Sequence, residues 1–210
     1  MALDLEEQEQ LAELKAWWKQ FGSLVVAAIT AAALTFAAWQ AWRWYERKQA
    51  TDAGALYDTI GRAAQAGDAK ALRDAGGALL ENHPRTLYAS LGALLAARFY
   101  FDRNDLKSAK AQLAWVIEHG RTDDYRDIAR LRLAAVLLDE KAYDEALKLL
   151  DEKHGAAFDA QYQALKGDVL VAKKDTAQAR SAYRLALDKA GSASAAFRES
   201  VRMRLEALGG

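Results

Sequence analysis

From Gln20 to Trp42 the chain carries no charged side chain, with Lys19 just before the run and Arg43 just after it. A helix of about 23 residues rises ~34 Å, enough to cross a ~30 Å hydrocarbon core. Within the run Phe21, Leu24, Val25, Val26, Ile29, Leu34 and Phe36 stand among alanines. Each of these contributes roughly −0.3 to −0.6 kcal/mol to insertion at a helix centre, so the set contributes about −3 kcal/mol. Ser23, Thr30, Thr35 and Gln40 subtract from that sum. Trp17, Trp18 and Phe21 mark one edge, and Trp39, Trp42, Trp44 and Tyr45 mark the other. Amphipathic rings favour the headgroup layer, so the two groups read as interfacial belts. A cleaved signal peptide fits poorly, because the preceding segment is acidic, the apolar run is long and no small-residue cleavage site follows. The expectation is a retained transmembrane helix over residues 21–43.

The remainder, residues 44–210, is long enough for one domain with its own core. Lys and Arg number 29, as do Asp and Glu, so the balance offers no basic excess for nucleic acid. The chain has no cysteine, which removes thiol chemistry, disulfides and cysteine-zinc sites. A single proline, many alanines and the absence of long period-two β-branched runs point to an all-α fold.

Residues 1–20 read as a helical segment. Leu3, Leu11, Leu14 and Trp18 form a narrow apolar stripe, and Asp4, Glu6, Glu7, Glu9 and Glu13 make the other face acidic. Such a segment serves as a solvated lead-in to the anchor or as a docking helix. Lys15 and Lys19 precede the span, while Arg43, Arg47 and Lys48 follow it. That small difference favours a cytoplasmic domain by simple counting but does not decide orientation, since large domains translocate regardless of flanking charge.

After the span a spacing recurs. Ala109, Ala146 and Ala179 each stand twelve residues after another small residue, Ala97, Ala134 and Gly167. Small residues at such positions let paired helices approach, and Leu113, Leu150 and Tyr183 fill the next layer. A weaker pair precedes these, with helices over Ala53–Ala66 and Ala69–Asn82, a turn at Gly67-Asp68, and Pro84 beyond. The pattern is that of a degenerate tetratricopeptide array, an α-solenoid of about four helix pairs. A helix over Ser194–Leu208, apolar along Phe197, Val201, Leu205 and Leu208, reads as the terminal cap that solenoids need. A generic antiparallel helical array is the plainer alternative.

No catalytic motif, Gly-rich phosphate loop or metal-ligand cluster stands out, so no catalytic, cofactor-binding or metal-binding residue is assigned. His83, His119 and His154 recur at the repeat period, each expected at the end of a second helix, where imidazole suits the negative end of the dipole. Gly76-Gly77 is expected to be a close packing contact within a helix, and the carboxylates to lie on exposed faces. What remains is binding. First helices of repeat pairs line the concave surface, which here points Leu94, Arg98 and Phe101 inward, then Leu131, Ala135 and Leu138, then Ala164, Asp168 and Val171. Such a groove is mostly apolar and suits an apolar or unfolded segment, unless the cap helix or a neighbouring pair fills it.

The start of the chain is more specific. Asp-Leu-Glu-Glu-Gln-Glu-Gln at 4–10, then Leu-Lys-Ala-Trp-Trp-Lys-Gln-Phe-Gly at 14–22, followed by an anchor and degenerate repeats, closely resembles the YfgM-type ancillary subunits of the bacterial SecYEG translocon. The resemblance implies a single-pass inner-membrane protein with a cytoplasmic amino terminus and periplasmic repeats. It also implies association with the translocon and with a membrane-anchored periplasmic prolyl isomerase, and help for newly translocated, unfolded proteins. It supplies no catalytic residues. Two readings from other classes stay open. One is a scaffold for an envelope assembly with a folded partner, and the other is a regulator acting through residues 1–20. Replacing Ile29 by Arg should cost ~3 kcal/mol of insertion free energy and shift the full chain from the membrane to the soluble fraction, as read by carbonate extraction.

Overall fold

A computed structural model describes residues 5–191 and 194–209, with side chains from residue 9 onward. Leu3 of the expected apolar stripe and Asp4 of the expected acidic face lie outside the described residues, as do the side chains of Glu6 and Glu7. Among the described residues every regular element is helical: α1 (Leu5–Ala66), α2 (Ala69–Asn82), α3 (Leu87–Phe101), α4 (Leu106–His119), α5 (Asp123–Asp139), α6 (Tyr143–Leu150), α7 (Asp159–Ala172), α8 (Thr176–Lys189) and α9 (Ala195–Ala207). A single 3-10 turn, Ala156–Phe158, precedes α7. The contacts divide the chain inside α1, into Met1–Gln49 and Ala50–Gly210.

In the first unit the apolar side chains of α1 have no protein to pack against. Leu24 is 68% exposed, Ile29 63% and Leu34 66%, and the same holds on every side of the helix. A helix apolar all round and uncovered is a candidate membrane span. The five belt tryptophans, Trp17, Trp18, Trp39, Trp42 and Trp44, are likewise exposed. Trp18 folds back over Gly22, Arg43 sits 4.9 Å from the Trp39 ring centre, and Lys48 sits 5.5 Å from that of Trp44. Thr30 and Thr35 are less costly to insert than their hydroxyls suggest. Each donates to the carbonyl four residues back, Val26 and Ala31, at 2.8 Å.

The second unit is built from helix pairs, each closed by the same turn. At Gly67, Asn104, Lys141 and Lys174 φ is positive, between 61° and 76°. The next residue's N–H then donates back into the preceding helix: Asp68 to Ala63, Asp105 to Tyr100, Ala142 to Leu137 and Asp175 to Leu170, at 2.8–2.9 Å. This is a Schellman closure, which satisfies a helix-end carbonyl and reverses the chain. The same next residue opens the following helix. Asp68 accepts from Lys70 and Ala71, Asp105 from Ser108, and Asp175 from Gln178. The Ser108 hydrogen bonds hold the Asp105 carboxyl below its ordinary range. Ala142 cannot cap, and the helix it opens, α6, is the shortest of the set at 8 residues.

A second device ties one pair to the next. Ser90 on α3 is fully buried, and its Oγ accepts the Arg121 N–H at 3.0 Å. Asp127 on α5 is 2% exposed, and its Oδ2 accepts the Gly155 N–H at 2.9 Å. Arg130 Nη1 donates to the other Asp127 oxygen at 2.7 Å, and Tyr162 Oη donates to the Asp127 carbonyl at 3.1 Å. The carboxylates are therefore not all on exposed faces. This one is buried because a backbone N–H and a guanidinium replace its water. It also draws the 151–155 loop inward. As a result His154 lies beyond α6 rather than at its end, stacked 3.8 Å from the Tyr162 ring, with Nε2 3.3 Å from Asp159.

The cores form a series along this array. Ala53, Ile60 and Ala63 cluster with Leu72 and Leu79; Leu94, Leu113 and Val116 with Ala129 and Val136; and Ala134 and Leu137 with Ala146, Leu150 and Tyr162. Ala164 and Tyr183 then cluster with Val201 of α9, with Phe197, Leu205 and Leu208 beside them, so α9 caps the series. The six small residues Ala97, Ala109, Ala134, Ala146, Gly167 and Ala179 are all buried. A Cβ at Gly167 would collide with the Tyr183 ring, whereas one at Gly76 or Gly77 would meet nothing within 4 Å. The Gly76-Gly77 pair is thus helical but makes no packing contact, since it sits on the outer side of α2.

Denaturation midpoints of the full chain in detergent should separate these cases. Gly167→Ala should lose about 1–3 kcal/mol by overpacking, while Gly77→Ala should gain about 0.5–1 kcal/mol. Ala142→Asp should gain about 1 kcal/mol by supplying the cap that α6 lacks.

Candidate functional site

A cavity of about 280 Å³ opens in the second unit between α3 and α5, with α4 beneath. The last turn of α3 contributes Ala97, Arg98 and Phe101 with the capping Asp102 just beyond, α4 contributes Leu113, and the middle of α5 contributes Arg132, Ala135 and Val136. Ala97, Leu113 and Val136 are buried and make an apolar floor. Phe101 is 36% exposed, a large apolar side chain that the core does not need in full.

The rim is charged. Arg98 Nε donates to both oxygens of Asp102 at 2.8 Å, one turn apart on α3. Its side chain is 71% exposed, so the pair adds little stability, a few tenths of a kcal/mol at about the level of any exposed i,i+4 pair. Arg132 Nη1 reaches the Leu94 carbonyl at 3.5 Å. Burial against α3 and, second, the charge of Arg98 hold the Arg132 guanidinium below its ordinary basicity. Two guanidiniums and one carboxylate leave the rim with excess positive charge.

Of the positions expected to face inward, the structure brings together Arg98, Phe101 and Ala135. Leu94 is 6% exposed and lies in the core, between the first helices and α4. Leu131 and Leu138 pack part-buried on the next core cluster. Ala164 is buried beside Val201 of α9. Asp168 accepts from Tyr183 Oη at 2.8 Å and from Arg204 Nη1 on α9 at 2.8 and 3.1 Å. Val171 is exposed at the end of α7, outside this cavity. The expected pattern 94/98/101 and 131/135/138 gives way to 98/101/102 and 132/135/136. A helix advances ~100° per residue, so a slip of one position moves a leucine into the core and an arginine onto the rim. Arg132 went unassigned in sequence because it neighbours Leu131 and breaks the apolar pattern. The signal that could have found it is that 98/101/102 and 132/135/136 share one i, i+3, i+4 spacing.

Among the described residues no group of three or more His, Cys, Asp or Glu side chains could hold a metal ion. The buried polar groups elsewhere serve packing. Burial, with the nearby Asp127 charge, pushes the Tyr162 hydroxyl up to about 12. Burial and the hydrogen bond to Asp168 push Tyr183 higher still. Both shifts favour the neutral phenol in the folded chain. Their stabilisation is therefore complete below the unfolded value near pH 10, and is lost as pH rises through the folded values. The full chain should lose stability steeply above pH 10, by roughly 2–3 kcal/mol at pH 12 from Tyr162 alone. Tyr162→Phe should flatten that part of the curve in a pH series of urea melts.

Residues 15–210 match the family model described as a tetratricopeptide repeat-like domain. The chain is 31% identical over 209 residues to the ancillary SecYEG translocon subunit of Neisseria gonorrhoeae, covering 99% of this chain and all of that protein. It is 28% identical over 183 residues to the protein of the same name from Haemophilus influenzae, covering 87% of this chain and 89% of that one. With the Escherichia coli K12 protein of that name the identity is 27% over 177 residues, 84% of this chain and 85% of the relative.

Proposed function

The chain belongs to the YfgM-type family of ancillary SecYEG translocon subunits, with a tetratricopeptide repeat-like domain, and on that premise we propose that it is a membrane-tethered, non-enzymatic adaptor that works beside a SecYEG-type translocon. In this reading residues 1–20 lie in the cytoplasm, 21–43 cross the inner membrane, and 44–210 lie in the periplasm. The groove between α3 and α5 receives apolar segments of newly translocated, unfolded proteins, and a membrane-anchored periplasmic prolyl isomerase works alongside. The observation that carries the client part is the cavity itself, which among the described residues no side chain of the cap helix lines. The cap helix packs on α7 and α8 and covers Ala164 and Asp168, leaving Phe101 and Ala135 at an opening. A weak groove suffices for this task, because tethering near the exit of the channel raises its effective concentration to roughly the millimolar range.

Two measurements test the reading. Because the chain has no cysteine, single cysteines at Glu9 and Ser181 report orientation directly. In cells with a permeabilised outer membrane, a thiol reagent that cannot pass the inner membrane should label Ser181→Cys and spare Glu9→Cys. The reverse pattern would move the domain and its partners to the cytoplasm. Phe101→Glu should then weaken binding of an unfolded model protein about tenfold, roughly 1–2 kcal/mol, with an unchanged melting midpoint. If the domain unfolds instead, Phe101 belongs to the core and the groove reading loses its best residue.

A further inference from the structure

The charge on the rim of the α3/α5 cavity says more about its occupant than the apolar floor does. Arg98 is already committed to Asp102, the one carboxylate lining the cavity. Glu140, just beyond the end of α5, is held by Lys110 of α4 at 2.6 Å. Among the described residues Arg132 has no carboxylate partner. It makes a long contact to the Leu94 carbonyl, and it feels burial and the repulsion of Arg98. A carboxylate placed at Arg132 would offset the repulsion of Arg98. A guanidinium presents a planar fork that binds a carboxylate through two charge-assisted hydrogen bonds.

We infer that the cavity between α3 and α5 takes a peptide segment in which an acidic side chain adjoins an apolar one, the carboxylate pairing with Arg132 and the apolar side chain resting on Ala97, Leu113 and Val136. The inference rests on the groove reading above and adds its charge selectivity. The carboxylate comes from an internal Asp or Glu of the occupant. One uncompensated guanidinium matches one side-chain carboxylate. In addition, a protein in transit offers many internal acidic residues and a single carboxyl terminus.

The test uses the full-length chain in lipid nanodiscs and short fluorescent peptides, read by anisotropy at low and high salt. One peptide is apolar with a single internal Glu and an amidated terminus, a second has Gln in place of Glu, and a third has Gln and a free carboxyl terminus. Wild type should bind the Glu peptide about tenfold more tightly than its amidated Gln counterpart, and the preference should shrink as salt rises. Arg132→Gln should abolish the preference of the Glu peptide over its Gln counterpart. Asp102→Asn frees Arg98 and should enlarge the preference, an independent check if Arg132→Gln folds poorly. Equal binding of the two amidated peptides by wild type would overturn the charge inference and leave the apolar groove standing. Tight binding of the free-terminus Gln peptide alone would overturn the internal carboxylate in favour of a terminal one. No binding of any peptide would remove the groove reading and this inference with it.

Discussion

One left-handed residue after each first helix sets the geometry of the whole repeat domain. At Gly67, Asn104, Lys141 and Lys174 the chain enters positive φ, and the following N–H closes back on a helix-end carbonyl. Only glycine does this without cost. For the lysines the strain is about 1–2 kcal/mol, offset by the carbonyl that would otherwise be orphaned. Three of the four turns add an aspartate that starts the next helix with its own side chain. Termination of one helix and initiation of its partner thus occupy two adjacent residues. That economy lets short helices alternate so closely, and the third turn, with Lys141 and Ala142, is the weakest link.

The pairs would still be free to pivot on one another without the buried polar ties. Ser90 and Asp127 each sit on a first helix and accept a backbone N–H from the loop that leads into the next pair. Each replaces the water of a group that could not otherwise be buried. Asp127 gathers more, since Arg130, Gly155 and Tyr162 all converge on it. The last first-helix, α7, uses no such loop tie at Ala164 and is covered by α9 instead, where Arg204 reaches Asp168. The end of the array is closed by a helix, and its middle is left with an opening between α3 and α5.

That opening joins the repeat architecture to the proposed adaptor role. Its floor is made of Ala97, Leu113 and Val136, side chains the core buries in any case. Its rim carries arginines, which interrupt an otherwise apolar surface that would invite indiscriminate aggregation. In the proposed reading the tether raises the effective concentration of the groove, so modest affinity suffices for capture and release of passing segments.

Much of this was legible in the residues. The uncharged run between Lys19 and Arg43, the twelve-residue spacing of small residues, the turn at Gly67-Asp68 and the cap helix, read over Ser194–Leu208 and observed over Ala195–Ala207, are local properties of composition and period, so sequence determines them. Which side of each helix faces the groove is another matter. On α5 a slip of one residue puts Arg132 on the rim where Leu131 was expected, and on α3 Leu94 goes into the core, rotations that depend on how neighbouring pairs stack. Gly167 and Gly77 look alike in sequence, yet one lies under Tyr183 and the other faces open space. Asp127 reads as one more surface carboxylate until the 151–155 loop folds over it. Periodicity specifies that a helix forms and roughly which stripe is apolar. The angle at which two helices pack, and hence what is buried, floor or rim, is decided only when side chains from distant repeats meet.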